Sequence, residues 1–138
     1  MLDDREQKLI IDTLISTIEE LQAVYIFGSQ NDGTAMGKSD VDIAYLSKKE
    51  LSNIARWDLS QKLASLLSKD VDLIALSTTN TIFRYQILSK GSRIYGEGYE
   101  VEHFETLAYS FYLRFQEERQ PIVDEIMKNK SILGTAHV

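Results

Sequence analysis

Val24-Tyr25-Ile26-Phe27-Gly28-Ser29, followed after ten residues (30–39) by Asp40-Val41-Asp42-Ile43-Ala44-Tyr45-Leu46, is the stretch on which the fold turns. Its first part is a short apolar run that ends at a glycine, the pattern of a buried strand. Between the two parts the composition changes to Gly, Asn, Asp, Thr, Ser and Lys, with Gly33 and Gly37 as breakers. That change predicts a turn-rich connection with room for one short helical turn. The second part is apolar again apart from Asp40 and Asp42 and predicts a strand over 41–46.

Outward from this centre, Asp3 and Glu6 form a capping-box pattern, and Leu9, Ile10, Leu14, Ile18 and Leu21 recur at helical spacing, so a helix is expected to open the chain. Ser47 with Glu50 repeats the box and predicts a second helix through Leu51, Ile54, Ala55, Leu59, Leu63, Leu66 and Leu67. A third strand is expected over 71–76, a helix over about 79–90 ending at Gly91, and a short edge strand over 93–95. From about 101 to 130 the pattern is helical, with Phe104, Tyr109, Phe111, Tyr112 and Phe115 on it and Pro121 expected to kink or split it. The aromatics of this helix fit either a core stripe or a docking face for a partner. Helices alternating with three or four short strands indicate an α/β (α+β) domain, one small mixed sheet flanked by helices with a C-terminal helix. Residues 1–138 read as a single domain, with no internal repeat or linker.

Bulk properties narrow the chemistry. There are 21 acidic and 15 basic residues, a formal net charge of −6, and no Lys/Arg run longer than Lys48-Lys49. A clustered basic face is the footprint of backbone binding, so direct contact with a long nucleic acid is not expected. Cysteine is absent and histidine occurs only as His103 and His137. Thiolate metal sites are thereby excluded, a His-rich zinc site is not expected, and any metal should be hard and held by oxygen. No apolar run approaches the roughly 20 residues that span a bilayer, and the first residues lack a basic segment followed by an apolar one. No membrane association and a cytoplasmic location are expected.

Within this frame three carboxylates stand out. Alternate residues of a strand share a face, so Asp40 and Asp42 project together and can grip one cation between them. Asp72 begins another apolar strand and completes the cluster if the two strands are neighbours. Carboxylates gathered in this way repel one another unless divalent cations neutralise them. An isolated Asp-x-Asp carries little, since ten aspartates in 138 residues yield roughly 0.7 such pairs by chance. Two occur, Asp40/Asp42 and Asp70/Asp72, and Asp70 is read as a solvated loop residue before its strand. At Gly28 the lack of a side chain lets the backbone approach phosphate oxygens, to which the following N–H groups and the Ser29 hydroxyl can donate. A lone Gly-Ser is also an ordinary strand-end turn. It is the order strand, Gly-Ser, ten residues, Asp-x-Asp, helix, Asp on a strand that separates the readings.

Gly28-Ser29, ten intervening residues and Asp40-Val41-Asp42 resemble the G-S-x10-D-x-D signature of the DNA-polymerase-β-like nucleotidyltransferases. Within that superfamily the chain looks like the minimal nucleotidyltransferase (MNT) antitoxins of HEPN/MNT toxin–antitoxin systems, and the similarity runs over nearly the whole chain. The resemblance implies Mg²⁺ (two ions) on Asp40, Asp42 and Asp72, with Asp72 also helping to deprotonate the acceptor. It implies Gly28 and Ser29 on the β- and γ-phosphates of ATP. The function implied is that of a type VII antitoxin: AMPylation of a tyrosine on a partner HEPN RNase toxin, for which the acidic surface would be the electrostatic complement. A non-catalytic antitoxin that masks the toxin, and a small-molecule nucleotidyltransferase, are the alternatives. The chain departs from many relatives at Gln30 and Asn31, where an arginine commonly follows Gly-Ser; Lys38 is read as a solvated loop residue.

Overall fold

A computed structural model describes residues 2–28 and 40–137. Helix α1 (Asp4–Thr17) is capped by Asp3, whose carboxylate accepts from the Glu6 N–H while the Glu6 side chain accepts from the Asp3 N–H, so the predicted capping box is present in full. Its helical phase ends earlier than the apolar spacing predicts. Ile18 is already the extended C-cap residue, Glu20 takes a positive φ of 55°, and Leu21 begins strand β1 (Leu21–Phe27). Ile18 and Leu21 serve the same core as the helix, and that shared demand is why their spacing mimics its continuation.

Strand β2 spans Val41–Ser47. The predicted capping role of Ser47 is not realised: Ser47 is the last residue of the strand, buried, and its hydroxyl donates to the Lys49 carbonyl at 2.6 Å. Helix α2 (Asn53–Leu67) is capped by Ser52 instead, which accepts from the Ala55 N–H. A helix can start only where the backbone leaves the sheet, and β2 holds it extended through Ser47. Strand β3 (Val71–Ala75) follows, then a 3₁₀ turn over Leu76–Thr78, so the strand stops one residue short of expectation. Helix α3 (Thr81–Lys90) is capped by Asn80 and closes at Gly91, and β4 (Ser92–Tyr95) is the short edge strand anticipated. Helix α4 runs from Tyr99 to His137 and passes position 121 unsplit.

The sheet order is β3-β2-β1-β4. β1 pairs antiparallel with both β2 and β4, whereas β2 and β3 are parallel and joined by α2. The sheet is therefore mixed, and apolar residues fill both of its faces. On one face Val24, Ile26, Val41, Ile43, Tyr45 and Leu73 meet Ile10 and Leu14 of α1 and Leu59 and Leu63 of α2. On the other, Ala23, Tyr25, Ala44 and Leu46 meet Leu76, Ile87 and Val101. Burial from both sides explains why 23–26 read as an unbroken apolar run instead of an alternating one.

Helix α4 is fastened across the second face. The Tyr25 hydroxyl donates to Glu105 at 2.7 Å and Arg93 reaches the same carboxylate at 3.3 Å. Burial, followed by the neighbouring Glu105, pushes the Tyr25 phenol well above its ordinary range, so it remains a proton donor at physiological pH. Tyr85 of α3 stacks on Tyr112 with ring centroids 3.7 Å apart and meets Tyr109 edge-on. The aromatics of α4 thus divide between roles: Tyr112 and Tyr109 tie α4 to α3, whereas Phe111 is 44% exposed. Among the described residues no helix is long and apolar enough to cross a membrane.

Candidate active site

β1 ends and β2 and β3 begin at one end of the sheet, and the acidic residues collect there. Asp42 is the second residue of β2 and Asp72 the second of β3; the parallel register sets them directly opposite each other, between the pairs Val41/Val71 and Ile43/Leu73. Partners in parallel register share a face, so both carboxylates stand on the side of the sheet that carries α3 and α4. Across β1 the partner of Asp42 is Phe27. Asp40 precedes β2 and is exposed, as is Asp72, while Asp42 is half-buried. Val41 donates its N–H to the carbonyl of Asp70 at 2.8 Å, locking the starts of β2 and β3 in line. Asp70 itself is exposed in the loop before β3, as its sequence context indicates.

Gly28 turns the chain away from β1 with φ +72°, in the left-handed region where a side chain is strained. A Cβ built at this glycine would overlap Asp42 Oδ2 and lie 3.3 Å from Asp42 Cγ. The dihedral favours glycine here, and any side chain would have to displace the Asp42 carboxylate. Ser29, Gln30, Asn31 and Lys38 lie outside the described residues.

The electrostatics follow from this arrangement. Burial, then the charge of Asp72, then that of Asp40 raise the Asp42 carboxyl above the usual carboxylate range. Among the described residues no three Asp, Glu or His side chains converge tightly enough to enclose an ion; the three aspartates share a field instead of a single focus. The donor set still fits a hard divalent cation. It consists of oxygen only, it is anionic, and its most buried member is held in a negative field that a cation would relieve.

Sequence reading singles out Gly28 and the aspartates but not the aromatic wall beside them. The Phe27 ring meets Phe83 of α3 edge-on, with centroids 6.0 Å apart. The signal available was the position of Phe27, next to Gly28 and on the same strand end; its partner comes from an element more than fifty residues on. A cleft of about 740 Å³ lies elsewhere: Leu21, Gln22 and Arg93 line it at the opposite end of β1.

Known proteins resemble this chain over most of its length. A family model described as polymerase beta, nucleotidyltransferase matches residues 8–100. The chain is 43% identical over 120 residues to the protein adenylyltransferase MntA of Shewanella oneidensis, an alignment covering 87% of this chain and 86% of that protein. A chain in a crystal structure of a toxin–antitoxin with AMP-PNP superposes with a TM-score of 0.80 at 42% identity, covering 88% of this chain and 98% of that one. A second, in a complex of a tri-AMPylated Shewanella oneidensis HEPN toxin with its MNT antitoxin, gives a TM-score of 0.77 at 39% identity over 91% and 99%. With the family model spanning Asp40, Asp42 and Asp72 and more than half of the chain, this protein belongs to the polymerase beta nucleotidyltransferase family.

Proposed function

We propose that this chain is an antitoxin of the type VII class, a protein adenylyltransferase that moves AMP from ATP to a tyrosine of a HEPN RNase toxin and thereby silences it. The observation that carries the proposal is the register of Asp42 against Asp72 beside Gly28, in a chain 43% identical to a protein adenylyltransferase. The AMP-PNP complex of one relative supports ATP as the donor, and the tri-AMPylated toxin of another supports a protein acceptor.

In this reading Gly28, by its missing side chain, and Ser29, by its hydroxyl, hold the β- and γ-phosphates. Asp40, Asp42 and Asp72 would hold Mg²⁺, two ions in all, and Asp72 would take the proton of the incoming hydroxyl. When bound, the metal neutralises the triphosphate and lowers the pKa of an attacking hydroxyl. A tyrosine titrates near pH 10, so it must lose its proton as it attacks, and the exposed Asp72 carboxylate is the acceptor. The phenol oxygen bonds to the α-phosphorus, and the bond from that phosphorus to the bridging oxygen breaks. Pyrophosphate leaves with the electron pair. A cysteine-free chain is suited to the reducing cytoplasm, where ATP and Mg²⁺ are supplied.

The proposal is tested by pyrophosphate release on mixing the protein with ATP, Mg²⁺ and its toxin. Wild type should release pyrophosphate in proportion to toxin, and an Asp40→Ala, Asp42→Ala variant should release none. Equal release from both would remove the carboxylates from the mechanism.

A further inference from the structure

A cavity of about 520 Å³ opens between α3 and α4, lined by Asn80, Thr81, Ile82, Phe83, Gln86 and Phe115. Its size falls in the roughly 300–1,000 Å³ range of small-molecule sites. We propose that it takes the base of the substrate nucleotide, an inference that rests on the nucleotidyl-transfer reading above.

Three observations carry it. The first is continuity. Asp42 faces Phe27 across β1 and β2, the Phe27 ring meets Phe83 at 6.0 Å, and Phe83 is a wall of the cavity. A nucleotide whose phosphates lie against Gly28 and Asp42 must carry its base away from the carboxylates, and this chain of contacts leads along the same face of the sheet into the cavity. The second is the character of the walls. Phe83 and Phe115 offer aromatic surface and Ile82, 36% exposed, an aliphatic one. Stacking and edge contacts of a planar base on such surfaces are favourable irrespective of its hydrogen-bond pattern. The third is the polar edge. The Asn80 side-chain oxygen is committed to the Phe83 N–H at 2.8 Å, capping α3. Its amide NH₂ is left to donate, and a purine presents ring nitrogens that accept. Gln86 is exposed and offers a donor and an acceptor nearly two helical turns further on. The larger cleft near Gln22 and Arg93 has no such continuity with the aspartates.

Equilibrium binding to the full chain in the presence of Mg²⁺ tests the assignment, with ATP and inorganic triphosphate as the probes. Wild type should bind ATP more tightly than triphosphate. Phe83→Leu and, independently, Gln86→Ala should each weaken ATP binding, the former by roughly tenfold, and leave triphosphate unchanged. Because Phe83 also packs on Phe27, the exposed Gln86 gives a variant whose folding is not in question. If ATP affinity is unchanged in both variants, or if triphosphate weakens in step with ATP, the cavity is not the base site although nucleotidyl transfer stands. If wild type binds neither probe, the nucleotidyl-transfer reading falls and the base site with it.

Discussion

At Asp42, burial and two like charges act in the same direction, and the consequence for stability has a definite sign. A carboxyl held above its ordinary range binds its proton more tightly in the folded chain than in the unfolded one. Its stabilising contribution is therefore present at low pH and is lost as pH rises from the unfolded carboxylate value, about 3.9, through the raised folded one. Above that window the ionised side chain is a constant burden on the cation-free protein. Asp42→Asn keeps the shape and removes the charge. It is predicted to abolish transfer while raising Tm at neutral pH in EDTA by about 1–4 °C, a modest figure because water screens a half-exposed group. Calorimetry of wild type and variant checks this, and the gap between them should narrow as pH falls toward the carboxylate range. A variant less stable than wild type at neutral pH would mean that Asp42 is a structural anchor and not a site of stored repulsion.

Among the elements, helix α2 separates what local pattern can reveal from what it cannot. Both Ser47 and Ser52 precede its apolar periodicity, and only the sheet decides between them. Ser52→Ala should cost about 1 kcal/mol in a urea titration and speed amide exchange at Ala55. Ser47→Ala should leave the exchange of that first turn unchanged, because its hydroxyl serves Lys49 in the strand exit. Equal acceleration by both substitutions would restore Ser47 as a cap. The capping box of α1 was legible because both its partners lie within one turn. The pairing of Asp42 with Asp72 was legible only on the condition that their strands are neighbours, which the parallel register of β2 and β3 supplies. The end of α1 was not legible, because Ile18 and Leu21 continue its spacing while belonging to the turn and to β1. Nor was the wall of Phe27 and Phe83, whose two halves meet only once α3 has packed on the sheet. Pro121 was a strong local signal, yet α4 runs past it unsplit.

For the whole molecule, a four-stranded mixed sheet buried on both faces serves as a rigid frame. It brings the end of β1 and the starts of β2 and β3 to one edge, so that Gly28, Asp42 and Asp72 are positioned by backbone pairing before any ligand arrives. Helices α3 and α4 bound the same face and supply the aromatic walls. With a net charge of −6 the chain is a poor partner for a polynucleotide and a suitable one for a basic protein. The central claim is that this frame transfers AMP to a protein. The most direct measurement is the intact mass of a HEPN RNase toxin, recorded after incubation with this protein, ATP and Mg²⁺, and again with the Asp40→Ala, Asp42→Ala variant. The account predicts that the toxin gains whole AMP units on tyrosine, loses its RNase activity as it does so, and gains nothing from the variant. A toxin silenced by wild type with no gain in mass would contradict it and identify an antitoxin that acts by binding alone.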